Sequence, residues 1–162
     1  MRKLLNSELE RKSIEQFKRT EKAPFIIVLD NVRSQSNVGS IFRTADAFLT
    51  EAIYLCGITS FPPHREIQKT ALGATESVTW KYFPDTHDAI IELRENGYKI
   101  IAVEQAVGSV ELQNLQIDPK TKYAFVFGPK MEVSFAGLQK FNDGPSLNKE
   151  DSEPGLPPPI IP

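Results

Sequence analysis

A single cysteine, Cys56, stands among the 162 residues, so no disulfide can close within the chain. Histidine is nearly as scarce, with only His64 and His87. With so few soft ligands no cluster has zinc spacing, and no resident metal is expected. The chain also lacks a signal peptide and any run of about 18 apolar residues, so no membrane span is expected and the sequence reads as cytoplasmic. A global excess of cations is missing too, since the net charge is −2. Any contact with nucleic acid must therefore rest on local charge. Residues 1–22 offer some. Arg2, Lys3, Arg11, Lys12, Lys18, Arg19 and Lys22 outnumber Glu8, Glu10, Glu15 and Glu21, a local balance of +3. The same alternation also fits a solvated helix face.

What is present is the material of one α/β domain. Apolar content of 40% and charged content of 25% are ordinary for a globular chain, and the length suffices for a sizeable core. Asn6 or Ser7 can cap a helix to about Thr20 with Leu9, Ile14 and Phe17 on its apolar side. The apolar runs Phe25–Leu29 and Ala52–Cys56, the aromatic and β-branched stretch Val78–Phe83, and the segments Tyr98–Val103 and Lys122–Phe127 predict five strands. Helices are predicted between them, at 64–72 and from Asp85 or Thr86 to about Asn96, in addition to the one that follows the first strand. This alternation predicts a mostly parallel five-stranded sheet with helices on both faces. In such sheets ligands bind beyond the carboxyl ends of the strands, here after Leu29, Val103 and Phe127.

The most informative stretch joins the first strand to the first helix inside the sheet. Asp30 to Ser36 reads as a polar turn, and Asn37 sits where an N-cap belongs, before an apolar series at Ile41, Ala45 and Phe48. Arg43 then falls inside a helix that looks buried, where an unpaired guanidinium is costly unless it does chemistry. The plain alternative is a strand–loop–helix unit with Arg43 on an exposed face.

Asp30-Asn31-Val32-Arg33 followed by Asn37-Val38-Gly39-Ser40-Ile41-Phe42-Arg43-Thr44-Ala45 resembles the first motif of the SpoU (TrmH-type) RNA 2′-O-ribose methyltransferases, members of the SPOUT superfamily. The likeness continues through Pro62-Pro63, Lys69-Thr-Ala-Leu-Gly-Ala74, Trp80 and Ala102-Val-Glu-Gln105, and covers roughly residues 1–128. It implies an α/β-knot fold that binds S-adenosylmethionine in a trefoil knot, acts on tRNA or rRNA, and works as a homodimer without a metal. It places Arg43 beside the reacting hydroxyl and Asn37 as the residue that orients Arg43 or the RNA backbone. Glu104, Gly128 and Leu147 would lie against the cofactor. Arg33, Ser36 and Lys69 would meet the RNA, although Glu104 and Lys69 also read as ordinary solvated charges.

After Gly128 the pattern changes. Where the family reads Gly-Asn-Glu, this chain has Gly128-Pro129-Lys130, which removes a backbone donor and reverses a charge. Ser146-Leu147-Asn148 is the one echo of the third motif. Six of the twelve prolines fall between Pro145 and Pro162, so 142–162 reads as a disordered or polyproline-like tail. The expected division is a basic N-terminal helix at 1–22, a methyltransferase domain at 23–141 and that tail, with the knot incomplete. Three outcomes stay open on sequence: an active methyltransferase, a catalytically impaired RNA-binding remnant, or a frame-shifted product lacking the cofactor knot.

Overall fold

Five strands form one sheet in the order β3-β2-β1-β5-β4, every neighbouring pair parallel. The structure, a computed structural model, describes residue 2 and residues 13–103 and 110–128. The strands are β1 (Ala23–Asp30), β2 (Thr50–Cys56), β3 (Trp80–Phe83), β4 (Lys99–Ala102) and β5 (Tyr123–Phe127). The helices are α1 (Ile14–Arg19), α2 (Gln35–Ala47), α3 (Arg65–Ala71), α4 (Ala74–Ser77) and α5 (Thr86–Glu95). β1 is central because both its edges are used: Val28 lies opposite Tyr54 on one side and Val126 on the other.

The alternation of side chains along each strand divides the core. Leu29 of β1 with Ile53 and Leu55 of β2 packs under Phe17, Val38, Phe42, Ala45 and Ile67 from the helices of one face. Ile26 and Val28 of β1, Ala52 and Cys56 of β2 and Val126 of β5 pack under Ala89, Ile90 and Leu93 of α5 on the other. Helices therefore cover both faces, as the strand–helix alternation predicts.

Several local expectations are corrected. α2 is capped by Ser34, whose Oγ accepts the Asn37 backbone N–H at 3.3 Å, and not by Asn37. Gln35 and Ser36 therefore belong to the helix rather than to the preceding turn. Its buried face is Val38, Gly39, Phe42 and Ala45, while Ile41 is only partly buried and Phe48 caps the carboxyl end at 68% exposure. Within the described residues α1 begins after Ser13, which forms a capping box with Gln16. The proposed caps Asn6 and Ser7 lie outside the described residues, and Ile14 is exposed rather than apolar-side. Val78 closes α4, a one-turn helix absent from the expectation, so β3 starts at Trp80. The tail at 142–162 and the knot lie outside the described residues.

Burial also sets the response of the fold to alkali. Cys56 is fully buried, and burial, with Asp30 and Asp85 adding to it, pushes its thiol up to about 12. Tyr54 and Tyr98 move upward as well, first through burial and then through their bonds to Glu92 and Glu51. An unfolded thiol ionises near about 8.5 and an unfolded phenol near about 10. Above those values the unfolded chain binds fewer protons than the native one, so stability falls with rising pH. The urea midpoint is expected to be level to about pH 8.5 and to decline beyond it, with Cys56→Ala delaying the onset to about pH 10.

Candidate functional site

The carboxyl ends of β1, β2 and β5 meet in a set of loops tied by side chains. Asp30, only 2% exposed, ends β1. Its Oδ1 accepts from Thr86 Oγ1 at 2.5 Å and from Asn31 Nδ2 at 2.7 Å, which links β1 to the start of α5. Asn31 has φ 55°, a left-handed conformation that asparagine tolerates better than most residues. From there its Oδ1 accepts the Ile58 N–H at 3.1 Å, and its own N–H donates to the Cys56 carbonyl. Gly57 turns at φ 62°, and a Cβ there would lie 2.3 Å from Asn31 Oδ1, so the turn requires glycine. The buried Thr59 adds a second stitch: its Oγ1 donates to the Leu29 carbonyl at 3.0 Å and accepts the Val32 N–H at 2.9 Å. The loops after β1 and β2 are thereby one rigid rim.

α2 leaves this rim with its N-terminal turn bound to two neighbours. Gln35 Nε2 donates to Ser60 Oγ at 3.4 Å, and Thr70 Oγ1 of α3 donates to the Ser36 carbonyl at 3.0 Å. The approach of α2 to α3 is close because Gly39 has no side chain. A Cβ at that position would stand 2.0 Å from Thr70 Oγ1 and 2.4 Å from the Ile67 carbonyl oxygen.

The exposed residues of α2 are Ser36, Asn37, Ser40, Arg43, Thr44 and Ala47. At 100° per residue they span one arc centred near Ser40, with Arg43 and Asn37 at its two edges and roughly 9 Å apart along the axis. Arg43 is thus on solvent, not in the buried face, and it makes no hydrogen bond or ion pair with the described residues. The desolvation argument for its presence fails. What survives is an unengaged guanidinium on the same stripe as Asn37.

Arg33 is exposed in the loop before α2, and Ser36 is exposed in its first turn. Lys69 is exposed on α3, next to the Thr70 that reaches Ser36, and pairs loosely with Glu66 at 3.8 Å. The Thr70–Ser36 bond sets the helix that carries Lys69 against the turn that carries Ser36 and Asn37, just after the loop of Arg33. Gly128 follows β5 beside Asp30, where a Cβ would meet the Asp30 carbonyl oxygen at 2.9 Å and Oδ2 at 3.3 Å. Glu104 and Leu147 lie outside the described residues. The stitching residues Asp30, Asn31, Thr59 and Thr86 were not legible as site residues. Only the asparagine preceding a polar turn carries a sequence signal, as a candidate for positive φ.

Among the described residues no three His, Cys, Asp or Glu side chains gather as metal ligands, and no helix is long and apolar enough to cross a membrane. A cofactor with an apolar ring meets a different environment. Val103, 43% exposed, follows β4, and Phe127, 37% exposed, ends β5. The Val103 N–H donates to the Val126 carbonyl at 2.9 Å, holding the two strand ends together. Apolar surface beside backbone at adjacent strand ends suits an adenine and a thioether.

Comparison with known proteins is consistent along this whole region. Residues 24–132 match the family described as the SpoU rRNA Methylase family. A protein of Staphylococcus aureus assigned to the TrmH family of tRNA/rRNA methyltransferases is 29% identical over 105 residues, covering 65% of this chain and 42% of that one. The AdoMet-bound rRNA methyltransferase from Sinorhizobium meliloti superposes with a TM-score of 0.63 at 26% identity, over 72% of this chain and 44% of that one. The A. aeolicus TrmH/SpoU tRNA modifying enzyme has the same fold, with a TM-score of 0.62 at 19% identity over 73% of this chain and 58% of that one. The chain spans less than two thirds of the length of each of these three relatives.

Proposed function

The chain belongs to the SpoU rRNA methylase family, and from that premise we propose that it transfers a methyl group from S-adenosylmethionine to a ribose 2′-hydroxyl of tRNA or rRNA. The observation that carries the reading is Arg43: a guanidinium on the exposed stripe of α2 with no hydrogen bond or ion pair among the described residues, on the helix that springs from the stitched rim. A 2′-hydroxyl is a weak nucleophile until its proton is leaving. Arg43 stabilises the developing alkoxide and grips the neighbouring phosphate with its second N–H pair. Asn37 orients the RNA backbone toward it, and Arg33, Ser36 and Lys69 contact phosphates along the rim.

S-adenosylmethionine, when bound, supplies an electrophilic methyl group. Gly128 would hold it at the end of β5, with Val103 and Phe127 against its apolar parts and Glu104 and Leu147 as further contacts. Methyl transfer would join ribose O2′ to the methyl carbon as its bond to sulfur breaks, with S-adenosylhomocysteine as the leaving product and the hydroxyl proton passing to solvent. A homodimer in the cytoplasm completes the reading, on family likeness.

A second reading is favoured by one observation, the Gly128-Pro129-Lys130 sequence. Pro129 cannot donate a backbone N–H to a ligand at this turn. The chain would then bind RNA without methyl transfer. Calorimetric titration with S-adenosylmethionine and S-adenosylhomocysteine, followed by labelled transfer to bulk tRNA and rRNA, separates the two. Binding of both ligands and label in alkali-resistant dinucleotides is the expected result. A folded chain that binds neither ligand would end the enzyme reading and leave RNA binding alone.

A further inference from the structure

Apart from Ile58 in the loop after β2, the large apolar side chains exposed on the strand-end rim among the described residues fall into two sets. Val103 and Phe127 belong to the proposed cofactor side. The other set is aromatic and lies at the opposite edge of the sheet, where among the described residues β3 pairs with β2 alone. Trp80 and Tyr82 are two residues apart on β3 and so share a face. The Phe61 ring, from the loop after β2, lies over both: its centroid is 4.7 Å from Tyr82 at 46° and 6.2 Å from Trp80 at 25°.

The back of this group is fixed. Trp80 packs against the core of the α2–α3 face. Tyr82 Oη donates to the Gly57 carbonyl at 2.9 Å, and Pro62 beside Phe61 is buried. The front is open, with Phe61 46% exposed and Tyr82 36% exposed. An ordered ring with one covered face and one open face loses little freedom when a second ring stacks on it.

The charge around it selects the occupant. Residues 57–65 contain no carboxylate and end in His64 and the exposed Arg65. The same loop is bound to the start of α2 through Ser60 and Gln35, and to the loop holding Arg33 through Thr59 and Val32. A polyanion held by Arg33 and Arg65 would thus run along the same tied loops that carry Phe61. We propose that Phe61, propped by Trp80 and Tyr82, is a stacking platform for an unpaired base of the RNA that flanks the reacting nucleotide. The proposal rests on the reading of this rim as an RNA site, but stacking and methyl transfer can be measured apart.

The test uses the full chain with two probes of equal charge, a 12-nucleotide oligoadenylate and its abasic counterpart. Trp80 is the only tryptophan, so its emission reports from inside the platform. Wild type is expected to bind oligoadenylate about tenfold more tightly than the abasic strand, with quenching of Trp80 by the first alone. Phe61→Leu keeps apolar cover over Trp80 and Tyr82 and is expected to erase that difference, while Phe61→Tyr keeps it. Equal affinity of wild type for the two probes would overturn the platform and leave the phosphate contacts standing. Absence of binding to either probe would overturn both the platform and the RNA reading. A Phe61→Leu chain with unchanged preference for bases but altered sedimentation would also overturn it, assigning the patch to a protein partner.

Discussion

Arg43→Ala is expected to lower methyl transfer by about 10²–10³-fold, the usual cost of removing one donor aimed at a developing oxyanion. The thermal midpoint and the affinity for S-adenosylmethionine should stay where they are. Arginine and alanine differ little in helix propensity, the side chain is exposed, and no hydrogen bond or ion pair with the described residues is lost with it. Arg43→Lys keeps the charge but not the planar fork, and should recover only part of the rate. Kinetics at saturating cofactor, with a melting curve for each variant, decide the matter. Loss of rate together with loss of stability would mean that Arg43 supports the helix and not the reaction.

The second large effect concerns stability. Gly39 lies in the interior of α2, where glycine ordinarily costs about 1 kcal/mol relative to alanine. Its retention is explained by α3. A methyl group at this site would press on Thr70 Oγ1 and on the Ile67 carbonyl, and the carbonyl belongs to backbone that cannot turn aside. Gly39→Ala should therefore be destabilising despite its better propensity, since overpacking costs about 1–3 kcal/mol. Gly39→Val, larger and branched, should exceed it. At roughly 2–4 °C per kcal/mol for a chain of this size, the loss is visible in a melting curve. Thr70→Ala should not restore Gly39→Ala, because the Ile67 oxygen remains and the bond from Thr70 to Ser36 is gone. A Gly39→Ala chain more stable than wild type would show that the two helices can part freely.

Gly39 also explains where the sequence misleads. The five strands and the sheet with helices on both faces were legible, because each strand is a short apolar run bounded by turn residues. The face of α2 was not. Ile41, Ala45 and Phe48 form a helical series as regular as Val38, Phe42 and Ala45, and periodicity cannot choose between them. The choice is made by the close approach at Gly39, which adds no apolar weight to the count. The cap was misplaced for a related reason, since Ser34, Ser36 and Asn37 are all good caps and only the seating of the helix on α3 selects Ser34. Arg43 was picked out by its motif, while the argument from burial pointed to the wrong surface. The stitching by Asp30, Asn31, Thr59 and Thr86 joins residues up to 56 positions apart, and no local pattern announces such pairs.

The position of β1 has a consequence for the order in which the molecule can be made. One of its edges is satisfied by β2, which follows soon after it along the chain. The other waits for β5: Val28 must find Val126, 98 residues later. A growing polypeptide delivers those residues about 5–20 s after β1 has left the ribosome, at roughly 5–20 residues per second. Through that interval β1 carries a bare row of amides and carbonyls, the form of surface most prone to pair with a stranger. The central strand of the finished protein is the edge strand of the nascent one.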